Sequence, residues 1–363
     1  MLIWLLYLTC AAAAGYQVIA LVAVLRQLAR REGPANGFLP VVSILKPVHG
    51  CDQWFEQAAR SHANLDYPAY ELLFAAPSAA DPSAAAARVV PGARLYVRTL
   101  ETPNPKVASL IELARHATGE VLVVNDADIR VRPDYLRRII APLADPGVGL
   151  VTCLYRPVPS GLPAAWESLG IATDFAPSTL VAPLAGINEF GFGSTLCFRA
   201  ADLRKAGGFE AIADYLADDY QLAARLTRGL GKRAVLSRFV VDTGLHYACW
   251  RDMWRHQIRW ARTIRVSRKE YLGLPLTHAG LWALAAALAG HSQIAAVLLG
   301  LRILMGFTAG VLLLRARAAW ALVLIPLWDL FAFAVWVAAL AGNTIEWRGR
   351  RLRLSPDGRL SPR

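Results

Sequence analysis

Val121-Leu122-Val123-Val124-Asn125-Asp126-Ala127-Asp128 is four apolar residues followed at once by an amide and by two carboxylates two positions apart. The first half has the composition of a strand buried on both faces, as the central strands of parallel sheets are. In open α/β sheets ligands bind beyond the carboxyl ends of the strands, which is where Asp126 and Asp128 emerge. Short apolar runs at 41–45, 70–75 and 94–97, separated by Pro, Gly or helical stretches, extend the pattern to several parallel strands. Helices are expected at 106–116 and 133–143, and further strands at 149–155, 195–199 and 233–239. The alanine-rich stretch 78–87 reads as a plain helix or loop, and no internal repeat is present.

This sheet occupies only the middle of a chain of 363 residues, at 40–245. Hydrophobic residues make up 55%, more than a water-soluble enzyme usually carries. They concentrate at the two ends: residues 1–25 hold no charge, and 274–342 hold only Arg302, Arg315, Arg317 and Asp329. About 20 apolar residues cross a bilayer, so 1–25 reads as an anchor, retained because no small-residue cleavage pattern follows it. Arg26, Arg30 and Arg31 flank its inner end, and the positive-inside tendency puts them, with the domain that follows, in the cytosol of a bacterial-type inner membrane. Within 272–342 three apolar segments follow, 272–290, 294–314 and 318–342. The first contains Pro275 and His278 and reads as interfacial or re-entrant, which returns a basic tail at 343–363, with Trp347-Arg348-Gly349-Arg350-Arg351-Leu352-Arg353, to the cytosol. Asp329, inside an apolar span, is expected to face protein or water.

The five cysteines form no CxxC or Cys/His cluster, which argues against a zinc site and against a disulfide framework. The net charge of +12 comes with no nucleic-acid-binding motif. It fits a bilayer with anionic headgroups and a pyrophosphate as partners, and no nucleic acid. Nothing in the sequence sets the oligomeric state.

Asp126 and Asp128 are spaced to share one hard divalent cation, Mg²⁺ or Mn²⁺, although such a pair also forms a solvated Asx turn. Asp218-Asp219-Tyr220 precedes a helical run at 222–230; one acid would cap that helix and two exceed what a cap requires. Asp219 therefore reads as a general base for an incoming hydroxyl. Residues 250–270, WRDMWRHQIRWARTIRVSRKE, carry seven Lys or Arg against two acids, interleaved with Trp250, Trp254 and Trp260. Helical spacing sets Arg251, Arg255, Arg259 and Arg262 on one stripe, so 246–271 is either an interfacial amphipathic helix or part of a site. Lys106, in Asn104-Pro105-Lys106, either neutralises phosphate or is solvated. Asp52 either meets a nucleoside or caps a helix starting near Gln53. Gly191-Phe192-Gly193-Ser194 either lets a ligand approach the backbone or makes a tight turn.

Taken in order, Lys46-Pro47 with Asp52, Asn125-Asp126-Ala127-Asp128, Gly191-Phe192-Gly193-Ser194, Ala217-Asp218-Asp219-Tyr220 and Arg259-Trp260 resemble glycosyltransferase family 2-like enzymes, and within them the ceramide glucosyltransferase group, family 21. Val151-Thr152-Cys153-Leu154-Tyr155-Arg156 and Arg259-Trp260-Ala261-Arg262-Thr263-Ile264-Arg265 look closest to the bacterial hopanoid-biosynthesis glycosyltransferases of that group. The resemblance covers about 41–260. It implies an α/β GT-A fold, the Rossmann-like nucleotide-diphosphosugar transferase domain, with transmembrane helices at both ends. It also implies inverting transfer of one hexose or N-acetylhexosamine from a UDP-sugar to the hydroxyl of a membrane lipid, ceramide-like or hopanoid.

By matching position, Asp126 and Asp128 would hold the metal, and Asp219, beside Asp218, would be the base. His256, Arg259 and Trp260 would form the Q/R-x-x-R-W element near diphosphate and acceptor, and Lys46, Pro47, Lys106 and Gly193 would lie on the donor side. Two positions depart from the pattern. His256 stands where the family has Gln or Arg, with Gln257 one place later. The nucleoside contact falls on Asp52 by the ceramide-type pattern, or on Asp81, just past the second strand, by the arrangement of other GT-A enzymes. The rival readings are a processive polysaccharide synthase, for which at most four membrane segments are few, and a non-catalytic scaffold, against which the intact acids Asp126, Asp128 and Asp219 count.

Overall fold

The computed structural model describes residues 1–30, 37–316, 319–347 and 350–362. Arg31, Arg317, Arg348, Gly349 and Arg363 of the readings above lie outside the described residues.

The central sheet has eight strands in the order β3-β2-β1-β4-β7-β6-β8-β5. These are β1 (Val42–Pro47), β2 (Tyr70–Ala76), β3 (Ala93–Val97), β4 (Val121–Val124), β5 (Ile129–Arg130), β6 (Val148–Ser160), β7 (Leu196–Arg199) and β8 (Arg233–His246). Strands β1 to β4 pair in parallel, as expected. The sheet as a whole is mixed, because β7 runs antiparallel to β4, with Val124 opposite Leu196. That reversal matters for the site: the turn that leads into β7 comes to lie at the carboxyl end of β4, beside Asp126.

Strands β6 and β8 extend well past the expected 149–155 and 233–239, and pair in parallel out to Ser160 and His246. Their outer halves hold Arg156, Pro157, Asp242 and Thr243, so the apolar signal stops before the pairing does. Asp242 accepts from both Arg130 and Arg156 at 2.6 Å, which holds the polar extension together.

Helices α2 (Phe55–Ser61), α3 (Pro82–Arg88), α4 (Pro105–His116) and α5 (Tyr135–Ile140) cover the sheet, with apolar cores on both faces. Past β6 come α6 (Leu162–Gly170), a π turn (Ile171–Phe175) and α7 (Ala176–Val181), then α8 (Ala200–Lys205) and α9 (Asp218–Leu226) after β7. Helix α9 starts four residues earlier than the expected run at 222–230 and stops at Leu226, so the two acids form its first turn.

Among the described residues three helices are long and apolar enough to cross a membrane: α1 (Leu2–Ala29), and those at Ser292–Leu313 and Trp320–Leu340, whose α-helical parts are α12 (Ser292–Phe307) and α13 (Ile325–Leu340). The segment expected to be re-entrant is a 3₁₀ stretch, Lys269–Thr277, followed by α11 (Ala279–Leu288) at a 55° bend. Helix α12 runs parallel to α1: Cys10 and Ala13 pack with Ala295 and Leu298, and Ala20 and Val24 with Met305 and Ala309. Helix α13 instead follows the amphipathic helix α10 (Trp250–Ser267) in the same direction, from Trp254 against Phe331 to Arg265 donating to the Leu340 carbonyl.

Asp329 faces protein, as expected. Its carboxylate, 0% exposed, pairs with Arg302, also 0% exposed, at 2.7 Å, and Arg302 also reaches Asp174 in the π turn at 2.5 Å. A charge buried at this depth is tolerable only when paired in this way.

The expected basic tail is not a tail. Residues past α13 form a second, three-stranded antiparallel sheet, β9 (Thr344–Trp347), β10 (Arg350–Leu354) and β11 (Leu360–Pro362). It packs Ile345, Leu352, Leu354 and Leu360 on Leu216, and the Leu216 amide donates to the Gly358 carbonyl. The C-terminal segment is thereby fixed to the loop that leads into α9.

Candidate active site

The site is built from the ends of β4, β7 and β8, the first turns of α4 and α9, and one face of α10. Asn104 caps α4, its side-chain oxygen accepting from the amides of Lys106 and Val107. Its amide nitrogen donates to the Tyr215 carbonyl and lies 3.4 Å from Asp218, so one side chain sets the start of α4 relative to that of α9. From that first turn Lys106 puts its ammonium 2.8 Å from Asp126 and 3.0 Å from Asp218. Burial alone would lower its pKa; the surrounding Asp126, Asp218 and Asp219 outweigh burial and raise it, so Lys106 stays charged.

Gly193 joins the two acidic segments. Its carbonyl accepts from the Asp126 amide at 2.8 Å, and its amide donates to Asp219 Oδ2 at 3.3 Å. A Cβ at this position would stand 2.3 Å from Asp126 Oδ2 and 3.0 Å from Lys106 Nζ, so any side chain here would have to displace the Asp126 carboxylate. The 191–194 stretch is therefore both a tight turn, closed by Thr195 donating to Phe192, and a close backbone approach.

Asp128 accepts from the Thr243 hydroxyl on β8, while its carbonyl accepts from the Trp54 indole at 2.7 Å and the Gly244 amide at 3.2 Å. Burial and the neighbouring Asp126 push the Asp128 carboxyl up to about 6. Burial and Asp218 do the same for Asp219, also to about 6. Each rise reflects negative charge that local cations do not fully offset.

One cavity of about 600 Å³ takes in Asp52, Lys106, Asp126, Asp128, Gly193, Asp218 and Asp219 on one side and His256, Arg259 and Trp260 of α10 on the other. Its remaining wall is apolar, with Ile171, Phe175, Phe190 and Ile264. Trp347 of the second sheet closes it, with the Arg259 guanidinium 5.9 Å from its ring centroid. Arg259 has no ion-pair partner among the described residues. The stripe expected on α10 divides: Arg251 and Arg255 are exposed, Arg259 faces the cavity, and Arg262 donates to the Thr344 carbonyl of β9.

Three expected donor-side residues do not line this cavity. Lys46 is fully buried beneath the site and donates to the Asp126 carbonyl at 2.9 Å, with burial lowering its pKa to about 7. Pro47 closes β1. Asp81 caps α3, accepting from Ser83, and ties down the Gly50 amide at 2.8 Å. Asp52 does line the cavity, while its Oδ1 accepts from the Trp54 and Phe55 amides as a helix-start cap.

The acids meet the chemical requirements of a divalent cation. Asp126 and Asp128 offer hard oxygens, and the raised Asp128 carboxyl marks charge that such an ion would relieve. No group of three or more His, Cys, Asp or Glu suited to a metal exists among the described residues, so an ion held by Asp126 and Asp128 would need further oxygens from a ligand or water, as Mg²⁺ and Mn²⁺ accept. Sequence reasoning did not find Asn104 as an organiser, Thr243, Trp54 or Trp347; their roles come from pairings distant in the chain.

A family model described as Glycosyl transferase family 21 matches residues 5–360. Ceramide glucosyltransferase 1 of Caenorhabditis elegans is 29% identical over 206 residues, covering 54% of this chain and 44% of that protein. Ceramide glucosyltransferase 3 of the same organism is 28% identical over 213 residues, covering 55% and 45%. The chain thus spans less than half the length of these curated relatives. Among solved structures, the mannosyltransferase PcManGT from Pyrobaculum calidifontis, in complex with GDP-Man and Mn²⁺, aligns over 94% of this chain and 98% of that one, with a TM-score of 0.58 at 23% identity, a likeness of fold. The expected GT-A architecture is therefore present.

Replacing Gly193 by alanine is expected to displace the Asp126 carboxylate and lower UDP affinity at least tenfold while the thermal midpoint shifts by only a few degrees. Calorimetric titration with UDP and a melting curve check both, and unchanged affinity would contradict the close approach.

Proposed function

We infer the activity from a premise the family match establishes, that the chain belongs to glycosyl transferase family 21. We propose that it transfers a single hexose or N-acetylhexosamine from a UDP-sugar to a hydroxyl of a membrane lipid, with inversion. The observation that carries this is the cavity: five carboxylates and Lys106 face Arg259 across it, and its remaining wall is apolar and formed by elements that pack on the hydrophobic helices.

In this reading Asp219 is the base. Its carboxyl, raised to about 6, is still mostly ionised at neutral pH and is a better proton acceptor than an ordinary aspartate. The Gly193 and Tyr220 amides hold both its oxygens in place. The acceptor hydroxyl loses its proton to Asp219 as its oxygen bonds to the anomeric carbon, and the bond from that carbon to the diphosphate oxygen breaks on the opposite face. Lys106, Arg259 and Arg268 line the cavity and are side-chain cations available to the departing diphosphate. A divalent cation held by Asp126 and Asp128 would supply further stabilisation of that charge, as a Lewis acid. The bound metal in the archaeal mannosyltransferase supports this assignment.

A lipid acceptor stays in the bilayer because each buried CH₂ is worth about 0.8 kcal/mol, so the site has to sit at the membrane surface. Contacts along the chain support the following disposition. Helix α1 ends on β8, where Arg30 donates to the Leu236 carbonyl at 2.9 Å, and its first turns meet the α11–α12 hairpin, where the Tyr7 hydroxyl lies 3.3 Å from His291. Lys269–Leu288 and α12 thus form one out-and-back pair beside α1. Helix α13 touches α6 at its start and α10 at its end, so it lies in the interface under α10. The crossings after the catalytic domain are then two, an even number, and in this disposition the non-crossing segment is the third apolar one and not the first.

Incubating membranes containing the protein with labelled UDP-glucose and UDP-N-acetylglucosamine, followed by mass analysis, is expected to give a lipid carrying one added sugar; a polymer would indicate a processive synthase. Asp219→Asn is expected to abolish that product and leave UDP affinity within about threefold; loss of UDP binding would remove the base assignment. A reporter fused after position 363 is expected to read cytosolic, and a periplasmic signal would refute the disposition above.

A further inference from the structure

Glu167 lies on α6, wholly outside the motifs, and its side chain is 0% exposed. No Lys or Arg pairs with it among the described residues; its ionic partner is His256, whose Nδ1 stands 3.0 Å from one carboxylate oxygen and 3.3 Å from the other. The Tyr247 hydroxyl lies 2.8 Å from the same Nδ1. His256 lines the transfer cavity, and its ring lies tilted beside Trp260 with 4.8 Å between centroids.

A buried carboxylate without a cation is costly, by several kcal/mol. The arrangement that best offsets this cost puts a hydrogen on Nδ1, directed at Glu167 Oε2, with Tyr247 beside it, while Oε1 has no hydrogen-bond partner. Nε2 is then the ring nitrogen left for the cavity. The buried pair carries no net charge as imidazolium and carboxylate, and in that form Nε2 also holds a hydrogen that it can donate. Arg259, three residues on and on the same helix face, presents a guanidinium that has no ion pair among the described residues. Two donors side by side on one helix face suit the oxygens of a phosphate or diphosphate.

We propose that Glu167 is a positioning residue of the transfer site, which through His256 turns a histidine into a fixed donor toward the phosphate oxygens of the nucleotide, where related sequences carry Gln or Arg. This accounts for the departure at position 256: the buried glutamate and Tyr247 hold Nδ1 and so fix the ring with Nε2 toward the cavity. The proposal rests on the transferase reading, since it takes the bound anion to be the diphosphate of the donor.

The experiment measures UDP affinity by calorimetry in the protein, with melting curves, for Glu167→Gln, His256→Leu, the double variant, His256→Arg and His256→Arg with Glu167→Gln. Glu167→Gln and His256→Leu are each expected to weaken UDP binding about tenfold, and the double variant no further than either alone, because both remove one donor. In the His256→Arg background Glu167→Gln is expected to change affinity less than twofold, since arginine needs no partner to carry its hydrogens. Losses that multiply in the double variant, or a Glu167→Gln loss that persists beside His256→Arg, would overturn the proposal and make Glu167 a packing residue. Inorganic phosphate or phosphatidic acid vesicles that respond to these variants while UDP does not would overturn it as well, by assigning the donors to another phosphate. If the wild-type protein bound no UDP, the transferase reading would fall together with it, an outcome separate from all of these.

Discussion

The ammonium of Lys106 is what allows the rest of the site to exist. Asp126 and Asp128 come from the end of a central strand and Asp218 and Asp219 from the first turn of a helix some ninety residues later, and folding brings all four to one cavity. Two like charges about 4 Å apart repel by about 4 kcal/mol at the effective dielectric of a protein surface, so the cluster needs a cation in its midst. Lys106 touches both segments at once, and Asn104 behind it fixes α4 against α9. Gly193 completes the join from the backbone, accepting from one acidic segment and donating to the other. The antiparallel course of β7 follows from the same need, since it delivers that glycine to the mouth of β4.

The membrane helices are tied to this assembly by charge and not only by greasy contact. Arg302 on α12 pairs with Asp329 on α13 and with Asp174 in the π turn next to the cavity wall. Lipid-exposed ions would be expensive there, so the network fixes which faces of these helices meet. Glycines keep the packing close: a Cβ on Gly170 would fall within 1.9 Å of Trp328, and one on Gly280 within 2.7 Å of Asp329. From this base α10 presents Arg259 and Trp260 to the cavity while α13 supports its other side, and β9 to β11 return to brace the loop before α9.

Much of this was legible in the sequence because the informative segments are local. Val121–Val124 is a strand with the expected ends, and Asp126, Asp128, Asp218, Asp219, His256, Arg259 and Trp260 do share one cavity. What was not legible depends on distant partners. Lys46 was placed on the donor side by its position in the family's motif, but its side chain turns inward to the Asp126 carbonyl. The second sheet was hidden by its charge: Arg351-Leu352-Arg353-Leu354 reads as a basic run, yet its strict alternation is a strand signal, and Leu352 and Leu354 are the residues it buries. Glu167 offered a weaker clue, a lone acid amid Leu162-Pro163-Ala164-Ala165-Trp166-Glu167-Ser168-Leu169, which is unusual unless a partner waits for it. Asp329 carried the same kind of clue and was read correctly; Arg302 was left unread because a basic residue near a membrane is ordinarily assigned to headgroups.

The central claim is that these acids gather around one nucleotide-bound cation. Electron paramagnetic resonance of the purified protein titrated with Mn²⁺, with and without UDP, tests it most directly, with Asp128→Asn as the control. The account requires tight Mn²⁺ binding that appears only with UDP and disappears in the variant; Mn²⁺ bound equally well without UDP, or unaffected by Asp128→Asn, would contradict it.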